Sequence, residues 1–277
     1  MLIPLQYISN HPLTKNNKLS GYFRFINWQI KARLKKNAIE MPWIGNLKLN
    51  IKIGMHGATG CIYVGLPEFN DMSFLLHYLR EDDFFIDIGS NIGVYALLAA
   101  GVRNTNSIAV EPVPSTYSNL ISNVALNNLT NKISALNIGL SHEKGELLFT
   151  SNGDTTNHVT EKKSENTISV SVDTLDNIVK NNINTNSLLK LDVEGFEYNV
   201  LKGGEDLLNN ENLEAIIVEL NGCSDRFGLS DEMVDKKIIS HGFSKYDYNP
   251  FNRELTPLAN FHTEENTLYI RDSKLEK

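Results

Sequence analysis

The sequence predicts a doubly wound α/β fold: a mostly parallel sheet covered by helices, with a small helix and hairpin extension at its N-terminal end. Three observations predict it. From Phe84 onward strand-like and helix-like segments alternate: "FFIDIG", "VYALLAAG", "SIAVEP", "TYSNLISNVALNN" and "KISALNIG", then "LLKLDVEG", "FEYNVLKGGEDLLNN" and "AIIVELN". The first strand is a continuous apolar run, as a sheet buried on both faces requires. Between it and its helix stands "DIGSNIG", a tight turn of the kind that closes a ligand crevice at the carboxyl end of a strand. The extension is expected over residues 1–80 and the ligand-binding domain over residues 81–277.

In chain order, "YFRFINWQIKARLKK" (residues 22–36) sets Phe23, Ile26, Ile30 and Leu34 near a helical period, with Arg24, Lys31, Arg33, Lys35 and Lys36 mostly elsewhere. A docking helix with a solvated basic face is expected, with a membrane-surface or acidic-partner role as the rarer alternative. "LKLNIKI" alternates and "CIYVGL" is β-rich, so the two read as a hairpin ahead of the main sheet. Within the domain, "GELLFTSNGDTTNHVTEKKSENTISVSV" reads as two strands around a polar loop suited to act as a lid.

The chain has 277 residues and a formal net charge of -7. That charge disfavours a nucleic-acid backbone as partner and favours small or neutral substrates. Cys61 and Cys223 stand far apart with no metal-ligand spacing, so neither a disulfide framework nor a zinc site is indicated. The N-terminal stretch lacks the pattern of a signal peptide and no apolar run is long enough to cross a bilayer, so a cytoplasmic protein is expected.

The turn departs from a dinucleotide fingerprint, whose three glycine positions are here Gly89, Asn91 and Val94. Asn91 tolerates a left-handed backbone, so the turn survives while close approach of a pyrophosphate is hindered. Asp87 would repel a pyrophosphate but suits a cationic ligand such as S-adenosylmethionine. Glu111 ends the second strand, where an acidic side chain can accept hydrogen bonds from both ribose hydroxyls. The bland alternatives are that Asp87 and the glycines only shape the turn and that Glu111 is an exposed strand end.

The string "DIGSNIGVY…VEPVPSTYSNLISNVALNN…LLKLDVEGFEYNVLKGG" resembles the FkbM family of S-adenosylmethionine-dependent methyltransferases. The likeness joins the Asp-x-Gly-x-Asn-x-Gly turn to Glu111-Pro112, to Asn123 and Asn127, and to Lys190-x-Asp192-x-Glu194-Gly195 with Glu197. It extends from about residue 45 to about residue 220, and more weakly beyond. The resemblance implies a class I, Rossmann-like methyltransferase fold and O-methylation of a hydroxyl on a sugar or secondary metabolite. It makes Asp87, Gly89, Ser90, Asn91 and Gly93 the expected cradle of the methionine part, Glu111 with Pro112 the ribose side, and Ile138, Gly139 and Leu140 the border of the adenine. Ser90 stands where alanine is frequent in the family.

For the chemistry, Asp192, Glu194, Glu197 and His158 are the candidates to take a proton from an acceptor hydroxyl. Asp192, at the tip of a central strand, is either that base or the cap of the helix beginning near Phe196. Glu197 reads better as a first-turn acid, and His158 as a solvated loop histidine, with a base or a holder of a substrate hydroxyl as the alternatives. Glu68, in "GLPEF", either closes over the cofactor or substrate or starts the helix around Met72 to Leu79. Asp192, Glu219 and Asn221 at adjacent strand tips resemble a Mg-dependent O-methyltransferase site, but no metal is expected because the rest of the chain follows the FkbM pattern. A non-catalytic cofactor-fold binding module and an NAD oxidoreductase are the remaining readings. Intact Asp87, Glu111 and Asp192 oppose the first; Asn91 and Val94 oppose the second.

Overall fold

The computed structural model describes all residues except Met1, Lys36, Asp154, Thr155, Glu264 and 275–277, and only the backbone of Leu2, Ile3 and His56. The extension runs α1 (Leu2–Asn10), α2 (Lys18–Leu34), β1 (Ile39–Pro42), β2 (Lys48–Ile51), α3 (His56–Val64) and α4 (Phe69–Tyr78). The domain opens with β3 (Phe84–Ile88), α5 (Val94–Arg103), β4 (Asn106–Val110), α6 (Pro114–Leu126) and β5 (Ile133–Leu136). A small side sheet follows, β6 (Gly139–Leu140), β7 (Gly145–Thr150) and β8 (Thr167–Asp173), then α7 (Leu175–Val179). The chain then returns through β9 (Ser187–Leu191), α8 (Glu197–Lys202), α9 (Glu205–Asn209), β10 (Leu213–Glu219), α10 (Asp231–Ser240), β11 (Phe243–Asn249), β12 (Glu254–Pro257) and β13 (Asn266–Arg271).

The main sheet has the order β12-β11-β13-β10-β9-β3-β4-β5. Strands β3, β4, β5, β9 and β10 pair in parallel, and β13 is inserted antiparallel between β10 and β11. Chain order reverses at β3, which lies between β4 and β9, and a ligand crevice belongs at the carboxyl ends of such strands.

The pleat divides the core in two. Phe85, Ala109, Leu188, Ala215 and Ile217 face one hydrophobic layer with α2 to α6; Phe84, Ile86, Ile88, Leu189, Leu191, Ile216 and Val218 face the other with α8 to α10. All five residues of β3 and of β9 are buried, so the apolar runs that predict these strands are the ones covered on both sides.

Two expectations for the extension fail. The hairpin pairs β2 with β1, "IEMP", and not with "CIYVGL", whose residues 61–64 form the end of helix α3. Cys61, Ile62, Tyr63 and Val64 are all buried there, so packing against the core overrides their strand preference. Helix α2 does form, with Asn17 accepting the Ser20 N–H at its N-cap, but it is turned the other way from the expectation. Gly21, Phe25, Trp28 and Ala32 are its buried side, whereas Phe23, Ile26, Ile30 and Leu34 are exposed. A Cβ on Gly21 would stand 2.4 Å from Ile8 Cγ2, so the small residues let α1 approach closely and fix which face turns inward. Lys36 lies outside the described residues.

Candidate functional site

Asp87 and Lys190 are lateral neighbours in the paired strands β3 and β9, so their side chains emerge together on the α5 side of the sheet. One oxygen of Asp87 accepts the Ala96 N–H at 3.1 Å. Gly93, the N-cap of α5, has no side chain to offer, so Asp87 satisfies a free N–H of that helix from the neighbouring strand. Burial pushes the Asp87 carboxyl up to about 7, although Lys190 acts against it. Lys190 is 3 % exposed; its Nζ donates to Asp192 Oδ2 at 3.1 Å and Asn266 Oδ1 at 3.3 Å and lies 5.5 Å from the centre of the Tyr95 ring. Burial opposes its charge, but Asp192, Glu68 and Glu219 outweigh burial and hold the ammonium protonated.

The turn after β3 is tightly determined. Gly89 has φ +79°, and a Cβ there would lie 1.7 Å from the Asp192 carbonyl oxygen, so backbone meets backbone at this point. Asn91, at φ 49°, adopts the left-handed conformation its residue type tolerates. Its N–H donates to Glu111 Oε2 at 3.0 Å while the Val113 N–H donates to Oε1 at 2.9 Å, so Glu111 ties the turn to the end of β4. Burial pushes Glu111 up to about 8 against the pull of those two donors. Ser90 lines the same cavity, and its Oγ is buried without a hydrogen-bond partner among the described residues.

These groups surround a cavity of about 150 Å³ that includes Asp87, Gly89, Ser90, Asn91, Glu111, Pro112, Lys190, Asp192, Glu194 and Glu68. A second cavity, about 660 Å³, shares Pro67, Glu68 and Asp192 with the first and adds Tyr7, His11, Asp71, Glu219, Glu265 and Asn266. Ile138, Gly139 and Leu140 line a narrow apolar slot of about 20 Å³ that shares Gly89, Pro112, Phe149 and Val193 with the first cavity. Gly93 is the left-handed N-cap behind the turn, and it is not among the residues lining these three spaces.

At the edge between the two larger cavities, carboxylate oxygens of Asp192, Glu194 and Glu219 lie within 4.8 Å of one another. Burial, then Asp192, pushes Glu219 up to about 8 and Glu194 upward in the same direction. Asp192 is not the cap of α8: the N-cap residue Phe196 has no side-chain cap bond, and Asp192 turns to Lys190 instead. Glu194 has φ 56°, unusual for a glutamate, in the short loop between β9 and α8. Glu197 folds back to accept the Val193 N–H at 2.9 Å and the Gly195 N–H at 3.2 Å, bracing that loop from the first turn of α8. His158 accompanies β7 through the Phe149–Val159 bridge, and it is Asn157, not His158, that lines the first cavity.

Glu68 is the N-cap residue of α4 but makes no cap bond; its Oε2 accepts from Tyr95 Oη and Asn266 Nδ2, each at 2.7 Å. Asp71 accepts from the same amide at 3.0 Å, and burial pushes its carboxyl up to about 7. Asn266, Tyr95 and Asp71 are the site residues that sequence reasoning misses. Tyr95 follows the "GSNIG" turn by two positions and had a local signal; Asn266, 198 residues from Glu68, had none.

The strand order, the single inserted antiparallel strand and the acidic crevice over the tips of β3, β4 and β9 define a class I, Rossmann-like methyltransferase fold. Residues 87–245 match the methyltransferase FkbM domain, and the chain belongs to that family. It is 30% identical over 152 residues to the hexuronic acid methyltransferase AglP of Haloferax volcanii, covering 54% of this chain and 61% of that protein. It is 27% identical over 210 residues to methyltransferase 1 of Beauveria bassiana, covering 66% of this chain and 82% of that one. Among solved structures it is similar to the methyltransferase FkbM of Methylobacillus flagellatus at 16% identity and a TM-score of 0.48, covering 72% of this chain and 47% of that chain. The chain thus spans under two thirds of the Haloferax protein and about half of the Methylobacillus one.

Proposed function

We propose that the chain transfers the methyl group of S-adenosylmethionine to a hydroxyl of a sugar or similar polyol. The observation that carries this reading is Asp192, which stands on the shared edge of two cavities, one built on the Asp87–Glu111 turn and the other open enough for an acceptor. The donor set suits the cofactor: carboxylates for a cationic ligand, a hydroxyl on Ser90 lacking a partner, and backbone at Gly89 that no side chain screens. The Haloferax relative, by its name, acts on a sugar acid, which supports a sugar as acceptor.

Bound in the first cavity, S-adenosylmethionine supplies a methyl group on a cationic sulfonium, open to in-line displacement. The turn at Gly89, Ser90 and Asn91 would cradle the amino-acid end, and Glu111 would accept from the ribose hydroxyls with lone pairs its two N–H partners leave free. Ile138, Gly139 and Leu140 would border the adenine. Asp192, held in position by Lys190 at 3.1 Å, would take the proton of the acceptor hydroxyl as the carbon–oxygen bond formed and the carbon–sulfur bond broke, with S-adenosylhomocysteine as the leaving group. The acceptor cavity carries Glu68, Asp71, Asp192, Glu219 and Glu265, and each of these carboxyl groups would repel a carboxylated sugar when it is ionised. A neutral or amino sugar fits better than the hexuronic acid of the relative.

The test is transfer of isotopically labelled methyl to a panel of neutral, amino and acidic glycosides, read by mass spectrometry. Asp192→Asn should bind cofactor nearly as well and turn over roughly a hundredfold more slowly. Full turnover by that variant would remove Asp192 as the base. A Mg²⁺-assisted transfer is a second reading, favoured by the Asp192, Glu194 and Glu219 cluster alone. It requires that chelation abolish activity and that Mg²⁺ restore it.

A further inference from the structure

The outward face of α2 has no partner in the described structure. Leu19, Phe23, Ile26, Ile30 and Leu34 are 81, 71, 54, 55 and 80 % exposed, and their spacing of three or four residues lines them along one side of the helix. The helix cannot roll to hide them. Trp28 is 2 % and Phe25 8 % exposed on the inner side, and Arg24 Nε is bound to the Tyr63 carbonyl at 2.9 Å. Lys31 and Arg33 flank the apolar stripe on opposite sides in the last turn, Lys18 starts the helix and exposed Lys35 follows it. The helix "KLSGYFRFINWQIKARL" contains no acidic residue, and none of these four cations forms an ion pair among the described residues. In a chain of net charge -7 this is a concentrated local excess of positive charge around an apolar strip.

We propose that α2 is an interfacial docking helix whose Leu19–Phe23–Ile26–Ile30–Leu34 face inserts shallowly into an anionic lipid surface. Charge decides the occupant. A second copy packed on this face would set basic residues against basic residues with no carboxylate on either helix to compensate, whereas anionic headgroups complement both flanks. Helix α2 packs on α1 and α3, which contribute Gln6, Tyr7 and Asn10, and Gly57 and Ala58, to the two cavities, so docking would hold the site one helix layer from the bilayer. The inference does not depend on which reaction the site performs.

The purified full chain is mixed with extruded vesicles of phosphatidylcholine containing about 30 mol % phosphatidylglycerol, or with phosphatidylcholine alone, and floated on a density gradient. Association with the anionic vesicles is expected to be at least roughly tenfold stronger than with neutral ones and to weaken at high salt. Phe23→Ser combined with Ile30→Ser should reduce it by roughly tenfold or more, and Lys31→Glu combined with Arg33→Glu should erase the preference for anionic lipid, both without loss of circular dichroism or thermal stability. No binding to anionic vesicles, no preference for them, or binding untouched by both double substitutions overturns the proposal. So does a dimer in sedimentation that Phe23→Ser with Ile30→Ser disperses while vesicles are ignored, because that result assigns the face to a second copy.

Discussion

Both oxygens of Glu111 already accept backbone N–H groups, from Asn91 at 3.0 Å and Val113 at 2.9 Å, so this carboxylate shapes its turn as well as facing the cavity. Glu111→Gln keeps one accepting oxygen but sets an NH₂ against one of those donors. The expected loss is about 1–3 kcal/mol in cofactor affinity, with a fall in thermal stability of the unliganded protein that a purely ligand-facing residue would not show. Calorimetry on a folded variant checks it, and unchanged affinity would remove Glu111 from the ribose side. Lys190 gives a complementary case. It is buried among carboxylates, and Lys190→Met should unfold the protein more readily by about 3 kcal/mol or more, because Asp192, Glu68 and Asp71 lose the cation they share. Asp87, Asn91 and Glu111 are legible in the sequence because their geometry is local to two strand ends. Asn266 and Asp71 are not, because their partnership is assembled across 195 residues by the insertion of β13 beside β10.

At the scale of elements, strands β3, β4, β9 and β10 are readable because a run buried on both faces leaves no ambiguity about which side points inward. Helix α2 shows the opposite case. It carries two apolar stripes at helical spacing, Gly21–Phe25–Trp28–Ala32 and Phe23–Ile26–Ile30–Leu34, and periodicity alone does not rank them. Close approach to α1 at Gly21 does, and that contact is invisible in a hydropathy pattern. The misread of α3 has a similar cause: "CIYV" has strand composition, but all four side chains are buried in a helix. The junction of β3 with α5 offers a direct test of element geometry. Gly89→Ala places a methyl 1.7 Å from the Asp192 carbonyl and at a φ of +79°, so the turn must move away from β9. Loss of cofactor binding together with at least about 3 kcal/mol of stability is expected in chemical denaturation. A stable variant that still binds would show that the turn and β9 can separate.

For the molecule as a whole, the site concentrates carboxyl groups that burial holds protonated near neutrality: Asp71, Asp87 and Glu197 at about 7, Glu111 and Glu219 at about 8. Each is raised above its unfolded value near 4, so its contribution to stability is fully present below about pH 4 and is lost as pH rises through 7 to 8. The carboxyl groups held low, Asp173, Glu205 and Glu232, act in the opposite sense and lose their contribution only as pH falls below the ordinary carboxylate range. Between pH 5.5 and pH 8.5 the raised group dominates, and the unliganded protein should melt lower at the alkaline end by roughly 5 °C. A cationic ligand reverses the balance, since it favours the ionised carboxylates. S-adenosylmethionine should therefore raise the melting temperature more at pH 8.5 than at pH 5.5, and its binding should release protons, seen as a buffer-dependent heat in calorimetry. The uncharged-sulfur product S-adenosylhomocysteine should release fewer. Equal stabilisation at both pH values, with no proton release, would mean that these carboxyl groups do not face the bound cation and that the acidic crevice serves the acceptor alone.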